Sequence, residues 1–394
     1  MVQHYDVAAV RKEFPAAENM VYLDSGFQTP LCRPVKDAYD RFLREALETA
    51  GPKQVWLNRL EETRAKVAAF LGVGPHEIAF TKNTSESMNI AANALALRSG
   101  DKVLMVQGDH PNNAYAFLNL RKKGVVVEFI PMTDVVNAES FRPHLDDKTR
   151  AISMSHVTFH AGHRFDIESV GRLCAEKGLT FVVDAMQGIG VVPIDAKATG
   201  ATFLGSGTHK GMLVPQGLGL LYWNSALTEL EPSYLATISL AEPPSDFIAR
   251  PGNMALAQTA GRFELGNFNL PAIQALGAAI DFINGIGIEN IRNHCFDLGD
   301  YLIERLDRLG VGLVGPRQRQ HRAPHIYVTA LPAEHWLEYF AQSGIRVSPE
   351  RDGIRVSFGM FNTADDIDRL IDAIRHRDAP AAARARTTAL SKLA

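Results

Sequence analysis

Lys210 closes the stretch Ser206-Gly207-Thr208-His209-Lys210 just after the apolar run 201–204, and Asp184 ends the apolar run Phe181-Val182-Val183. Each run has the length and composition of a short buried strand. A carboxylate at the end of one strand and a lysine just past the next is what pyridoxal phosphate chemistry needs. The amine forms a Schiff base with the cofactor aldehyde, and the carboxylate keeps the pyridine nitrogen protonated so that the ring can accept electrons. A surface lysine and an aspartate capping a helix are the plainer reading of the same two residues.

Two further positions carry chemistry. Thr84 and Ser85 open a helical pattern directly after a strand ending at Phe80. Free amides, a positive dipole end and two hydroxyls suit a phosphate, although simple N-capping would use the same residues. Arg355 is the best clamp for a substrate carboxylate, because a guanidinium can make two parallel bonds to it; pairing with Asp352 or Glu350 at the surface is the alternative. His160 and His163 either line a pocket or face solvent.

The elements that must position these groups alternate. Strands are expected at 77–80, 102–106, 125–130, 151–157, 181–183, 201–204 and 218–223, with helices at 58–71, 85–97, 112–123 and 166–177. Such repeats build a mostly parallel sheet with helices on both faces, and ligands in such sheets bind beyond the carboxyl ends of the strands. His110, Asp184 and Lys210 all follow strands. From about Pro271 the pattern changes to long helices (271–284 and 289–309), short strands (311–314, 325–329, 344–347 and 354–358) and a helix at 363–375, a smaller α+β C-terminal unit. The expected division is a large domain over 18–265 and a small one from 1–17 plus 270–394. The tail 379–394 reads as a frayed helix or disordered end.

Composition narrows the class. The chain has 394 residues and a formal charge of −3, from 41 Lys+Arg against 44 Asp+Glu, without a long basic run, so nucleic acid is not an expected partner. Three cysteines, Cys32, Cys174 and Cys295, lie far apart and show no metal-ligand spacing, which suits a reducing compartment. With no signal-peptide pattern and no apolar run of membrane-spanning length, a soluble cytoplasmic protein is expected.

Six segments in order resemble the motifs of the class V aminotransferase and cysteine desulfurase family: Tyr22-Leu23-Asp24-Ser25-Gly26-Phe27-Gln28-Thr29-Pro30, 80–89, Val183-Asp184-Ala185-Met186-Gln187, Thr208-His209-Lys210, 262–269 and 355–363. They span roughly 20–375. The resemblance implies a fold-type I α/β architecture, with a mostly parallel sheet of the seven-stranded type, and pyridoxal 5'-phosphate on Lys210. It further implies that His110 stacks on the pyridine ring and relays protons, Gln187 donates to the ring's phenolic oxygen and His209 contacts the phosphate. Thr158 takes the place of an asparagine that reaches the phenolic oxygen. Gly207 stands where the family has a hydroxyl, so that either Ser206 or Thr208 compensates or one contact is missing. Asn267 replaces a threonine that reaches the partner subunit's phosphate, which implies a homodimer with a shared active site.

Three kinds of function stay open on this reading. The first is an enzyme acting on a small-molecule α-amino acid, with Lys210 as general acid/base; transamination leads, followed by β-elimination at a carbon–sulfur bond and then epimerisation. Residues expected at the mouth (Phe27, Gln28, Trp56, Phe159, His160 and His163) would select among these. The second is a cysteine desulfurase, disfavoured because 344–358 holds no cysteine and Ser348 stands near the expected place. The third, a non-enzymatic regulator, has no need of Lys210, Asp184 and Arg355 together.

Overall fold

Successive residues in each short apolar run point to opposite faces, so a run apolar throughout buries both, and strands of this kind build the centre of the protein. The computed structural model describes residues 2–246 and 248–377. After a short strand β1 (Val21–Tyr22), seven strands form the central sheet: β2 (Ile78–Thr81), β3 (Lys102–Val106), β4 (Val126–Ile130), β5 (Thr149–Ser155), β6 (Thr180–Asp184), β7 (Phe203–Gly207) and β8 (Gly219–Trp223). Their order is β2-β8-β7-β6-β5-β3-β4, and β8 alone runs antiparallel to its neighbours. Leu104, Ile152, Val183 and Leu204 pack into a core shared with the C-terminal helices, while Val103, Ala151, Val182, Phe203 and Trp223 fill the opposite face. The inner strands are buried on both sides, as parallel strands are, apart from Arg150 at the start of β5, and the edge strand β4 exposes Val126.

This topology gathers one end of the sheet into a site. The carboxyl ends of β2, β3, β5, β6 and β7 point the same way, and the reversed β8 begins where they end. In register, Ser155 lies beside Asp184, Asp184 beside Gly205, and Gly207 beside Gly219. Gly205 is required here: a Cβ would lie 2.3 Å from the Met88 side chain, so only glycine lets the helix Thr84–Ala94 settle onto β7.

The C-terminal unit holds an antiparallel sheet, β12 (Ser348–Glu350), β13 (Gly353–Ser357), β10 (Ile326–Thr329) and β9 (Leu313–Val314), in that order. β1 pairs in parallel with β11 (Ile345–Arg346), and Asp24 bridges to Ser357. The segment just after residue 20 is therefore hydrogen-bonded to the C-terminal strands. Two long helices escape the sequence reading, Arg33–Thr49 and Ala333–Gln342, as do the short ones Val7–Lys12, Pro15–Asn19 and Ala138–Phe141. The first fully buries only Val35 and Ala38 and the second only Phe340. The expected tail, 379–394, lies outside the described residues.

A buried ion pair ties β2 to the segment leading into the C-terminal unit. Arg64 Nη1 lies 2.7 Å from Glu264 Oε1, which also accepts the Phe80 amide at 2.7 Å, while Arg64 donates to the Ile78 carbonyl at 2.8 Å. Both side chains are almost fully buried. Glu264→Ala strands the guanidinium and is expected to cost about 3–5 kcal/mol, read as a lower urea midpoint at unchanged slope. A loss below about 1 kcal/mol would mean that the solvent-facing Glu61 suffices as a partner.

Candidate active site

Strand ends and helix starts enclose a cavity of about 450 Å³, lined by Thr84, Ser85, His110, Asp184, Gln187, His209 and Lys210, with Ser155, Phe159 and Met186 among its other walls. Seven sequence-predicted residues thus share one cavity.

Lys210 follows β7, and its backbone is pinned from two sides. Its carbonyl accepts from the Thr29 hydroxyl at 2.8 Å and from the Leu213 amide at 3.0 Å, and the Thr29 amide bonds the His209 carbonyl. Burial, reinforced by Arg355, pushes the ammonium down to about 7 against the opposing fields of Asp184, Glu350 and Asp24. A neutral amine is therefore present near neutral pH, as nucleophilic or basic work requires.

Asp184 ends β6. One oxygen accepts the Met186 amide at 2.9 Å, and burial together with nearby Asp109 pushes the carboxyl up to about 7. Desolvation outweighs the Met186 amide and the charge of Lys210, both of which lower the carboxyl, and a protonated ring nitrogen beside it would lower it further.

His110 caps the helix Pro111–Leu118: its Nδ1 accepts the Asn112 amide at 3.1 Å, which leaves the proton on Nε2. Burial and the Lys210 charge push it down to about 4, so the ring is neutral, and it meets Phe159 edge-on at 4.9 Å. The sequence reading missed the group that holds it. Asp109 accepts from the His110 amide at 2.6 Å, Asn113 Nδ2 at 3.0 Å, the Ser155 amide at 2.9 Å and the Ser155 hydroxyl. This carboxylate fastens the β3 loop to the end of β5; its place directly before His110 was the available signal.

At the helix start, Asn83 caps through its side chain to the Glu86 amide at 3.0 Å, so Thr84 and Ser85 are spared that task. The first-turn amides lie outside the intrahelical ladder and at the cavity wall. Gln187 donates Nε2 to the Gly26 carbonyl at 3.0 Å, while its buried Oε1 has no partner. His209 lines the cavity in a neutral state, pushed down to about 4 by burial and Lys210. A carboxyl raised by burial, a lowered lysine and a helix start fit pyridoxal phosphate, whose ring nitrogen, imine and phosphate Asp184, Lys210 and Thr84–Ser85 would hold, while the Gln187 amide nitrogen expected at the phenolic oxygen donates to Gly26 instead.

Other predicted residues sit elsewhere. Thr158 does not line the cavity: it closes a tight loop, its hydroxyl accepting the His163 amide at 2.9 Å and lying 3.3 Å from His163 Nδ1. Val157 and Phe159 face the cavity instead, because neighbours along an extended chain point oppositely. His163 lies 3.7 Å from Asp134, and His160 is buried without a partner on either ring nitrogen. Trp56, expected at the mouth, stacks on Phe42 at 4.2 Å and donates to Glu45. Ser206 and Thr208 do not compensate for Gly207, since their hydroxyls bond backbone carbonyls of Gly207 and of Val214 and Leu218. The Met186 sulfur takes that space, accepting from the Thr84 hydroxyl at 3.2 Å and the Gly207 amide at 3.1 Å. Asn267 lines a neighbouring groove that shares Lys82 and Gly217 with the cavity.

Arg355, on β13, is buried rather than at the surface. Its Nη1 donates to Glu350 at 2.6 Å and to the Phe159 carbonyl at 3.2 Å, and Nη2 lies 3.5 Å from Asp24. The Glu350 pairing foreseen as an alternative does form, but it forms within the electrostatic reach of Lys210.

Residues 21–370 match the family model described as aminotransferase class-V. The chain is 31% identical to an uncharacterised aminotransferase of Schizosaccharomyces pombe, over 94% of this chain and 95% of that one. It is 34% identical to a probable cysteine desulfurase of Methanothermobacter thermautotrophicus, over 72% of each. A solved apo cysteine desulfurase from Thermococcus onnurineus superposes with a TM-score of 0.85 at 25% identity, covering 93% of this chain and 96% of that one.

The lowered lysine gives a pH prediction. Above about pH 7 the Lys210 amine is free and below it protonated, so uptake of pyridoxal phosphate by apoprotein, followed by visible absorption, should rise through pH 7. In Arg355→Ala a repelling cation is gone and the midpoint should move upward. A midpoint near the ordinary lysine value in the wild type would refute the burial argument.

Proposed function

The chain belongs to the class-V aminotransferase family, whose members are pyridoxal phosphate-dependent enzymes, and from there we propose that it transaminates a small α-amino acid or a conjugate of one. Bound pyridoxal phosphate supplies an electron sink that acidifies the α-carbon of the attached amino acid. Everything else falls to the residues of the chain. Lys210 takes the α-proton at Nζ and redelivers it, a task suited to an amine whose pKa lies near 7. Asp184 holds the ring nitrogen protonated, His110 and Phe159 close one wall, and Arg355 orients the substrate carboxylate.

One observation carries the choice within the family. A sulfur-accepting route needs an accessible thiol at the site, and the three cysteines are all buried away from it. Burial pushes Cys32 up to about 11 and Cys174 and Cys295 up to about 12, which removes thiolate character. Ser348, near the place where a desulfurase carries its cysteine, donates its hydroxyl to Asp24 at 2.6 Å. Proton transfer by Lys210 is the chemistry that remains.

The same reading extends to assembly and location. Asn267 lines the groove beside the cavity, and an amide donor there, in the place of the family's threonine, supports a homodimer with shared sites. Three buried, free thiols support a reducing, cytoplasmic setting, and among the described residues no single helix is long and apolar enough to cross a membrane.

Purified protein mixed with a panel of amino acids should accumulate the amino form of the cofactor together with a keto acid. Pyruvate and ammonia with an unchanged cofactor would replace transamination by elimination, and a change of chirality alone would indicate epimerisation. Lys210→Ala should lose the visible absorption of the bound cofactor, any borohydride-reducible adduct, and at least about 10²-fold in turnover. A reducible adduct surviving in that variant would move the attachment site to another lysine.

A further inference from the structure

Arg355 offers a ligand less than a free guanidinium would. Of its five N–H groups, the two on Nη1 are taken by Glu350 Oε1 at 2.6 Å and the Phe159 carbonyl at 3.2 Å. Nη2 faces Asp24 Oδ1 at 3.5 Å, and Asp24 is itself held by the Ser348 hydroxyl at 2.6 Å. Nε is buried and has no partner. It faces Gly26, where a Cβ would come within 3.1 Å of it, and the Gly26 carbonyl is the atom that Gln187 of the cavity wall holds. Without a side chain at Gly26, the Nε edge of the guanidinium is left unpartnered beside a backbone that Gln187 of the cavity wall holds.

The charges around that edge are unequal. Arg355, Asp24 and Glu350 are all deeply buried, so one buried cation faces two buried carboxylates. Arg346, 3.6 Å from Asp24, is half exposed and screened by water. His325, pushed down to about 3 by burial and by the charges of Lys210 and Arg355, adds no charge. A substrate α-carboxylate on the Nε edge is then the third anion on one guanidinium, and a fourth placed beside it would meet repulsion that this single guanidinium does not offset. Lys82, also on the cavity wall, belongs to the loop before the helix Thr84–Ala94.

We propose that Glu350 is a specificity-determining residue: by neutralising Arg355 it restricts the site to amino acids with a single carboxylate and a neutral or cationic side chain, and turns away dicarboxylic ones. This rests on the amino-acid reading above. Glu350 is suited to the role by its place in the short β12–β13 hairpin, where it pairs with Gly353 and reaches across to Arg355 from the same hairpin.

Glutamine and glutamate separate charge from shape, both as ligands and as substitutions. Cofactor-loaded wild type, Glu350→Gln and Glu350→Asp are titrated with L-glutamine and L-glutamate, following the cofactor's visible absorption to obtain Kd. Wild type should prefer glutamine by about tenfold or more. In Glu350→Gln, whose amide oxygen can still accept from Arg355, the preference should collapse to within about threefold, and Glu350→Asp should restore it. A merely structural role would weaken both ligands in parallel and leave the ratio unmoved, which overturns the proposal, as would a wild type without preference. No response to either ligand in any variant would remove the amino-acid reading itself, and the inference with it, whereas a response with an unchanged ratio removes the inference alone.

Discussion

Everything at the site depends on the burial of one amine. Water-free surroundings disfavour an ammonium, and burial is the largest of the influences that bring Lys210 down to about 7. Left to that alone, the site would hold a neutral base and little else. The fold sets Arg355 on one side and Asp184, Glu350 and Asp24 on the other, so the fields on the amine nearly oppose one another. Burial also raises Asp184 and Glu350, so amine and acids are all displaced toward neutrality. A cofactor carrying both a cationic ring and an anionic phosphate meets a preformed set of partners rather than a set of satisfied ion pairs.

That balance explains why the site lies where it does. The parallel strands β5, β6 and β7 bring Ser155, Asp184 and the Lys210 loop to one edge, but they supply no arginine there. Arg355 and Glu350 arrive on β12 and β13, and Asp24 and Gly26 on the segment that pairs with them through β1 and β11. The substrate-facing half of the site is therefore built by strands whose own sheet is small and antiparallel. The cofactor-facing half is built by the large sheet, and a change in how these elements pack would alter Arg355 against Lys210 before it altered either alone.

Much of this was legible in the sequence because it rests on local pattern. Period-two apolar runs located all seven central strands within a few residues, and the strand β3 at 102–106 to the residue. Lys210, Asp184, His110, Thr84, Ser85, Gln187 and His209 meet in one cavity because each directly follows a strand end, and in a mostly parallel sheet strand ends coincide. What was not legible rests on side-chain direction and on distant partners. Thr158 turns into its own loop toward His163, which spacing cannot reveal. Asp109 gives no periodic signal, yet it carries four hydrogen-bond donors. The ties from Arg355 to Asp24 and from Arg64 to Glu264 cross hundreds of residues of chain. The helices Arg33–Thr49 and Ala333–Gln342 bury few residues fully, and the second lays Trp336, Leu337 and Tyr339 on the core only partly covered.

The place of Met186 shows how one departure from a motif imposes another. A hydroxyl at position 207 would need a Cβ 3.0 Å from the Met186 sulfur and 3.2 Å from the Thr84 hydroxyl, closer than either neighbour readily allows. With glycine there, the sulfur drops against the strand and accepts both the Gly207 amide and the Thr84 hydroxyl. A thioether is a weak acceptor, so Thr84 is oriented without being strongly withheld from a phosphate. Glycine at 207 and methionine at 186 are then one arrangement, in which a polarisable apolar side chain fills the volume of a lost hydroxyl. A phosphate bound here would then lean on backbone amides and on Thr84, Ser85 and His209, with less help from the lysine loop than the motif suggests.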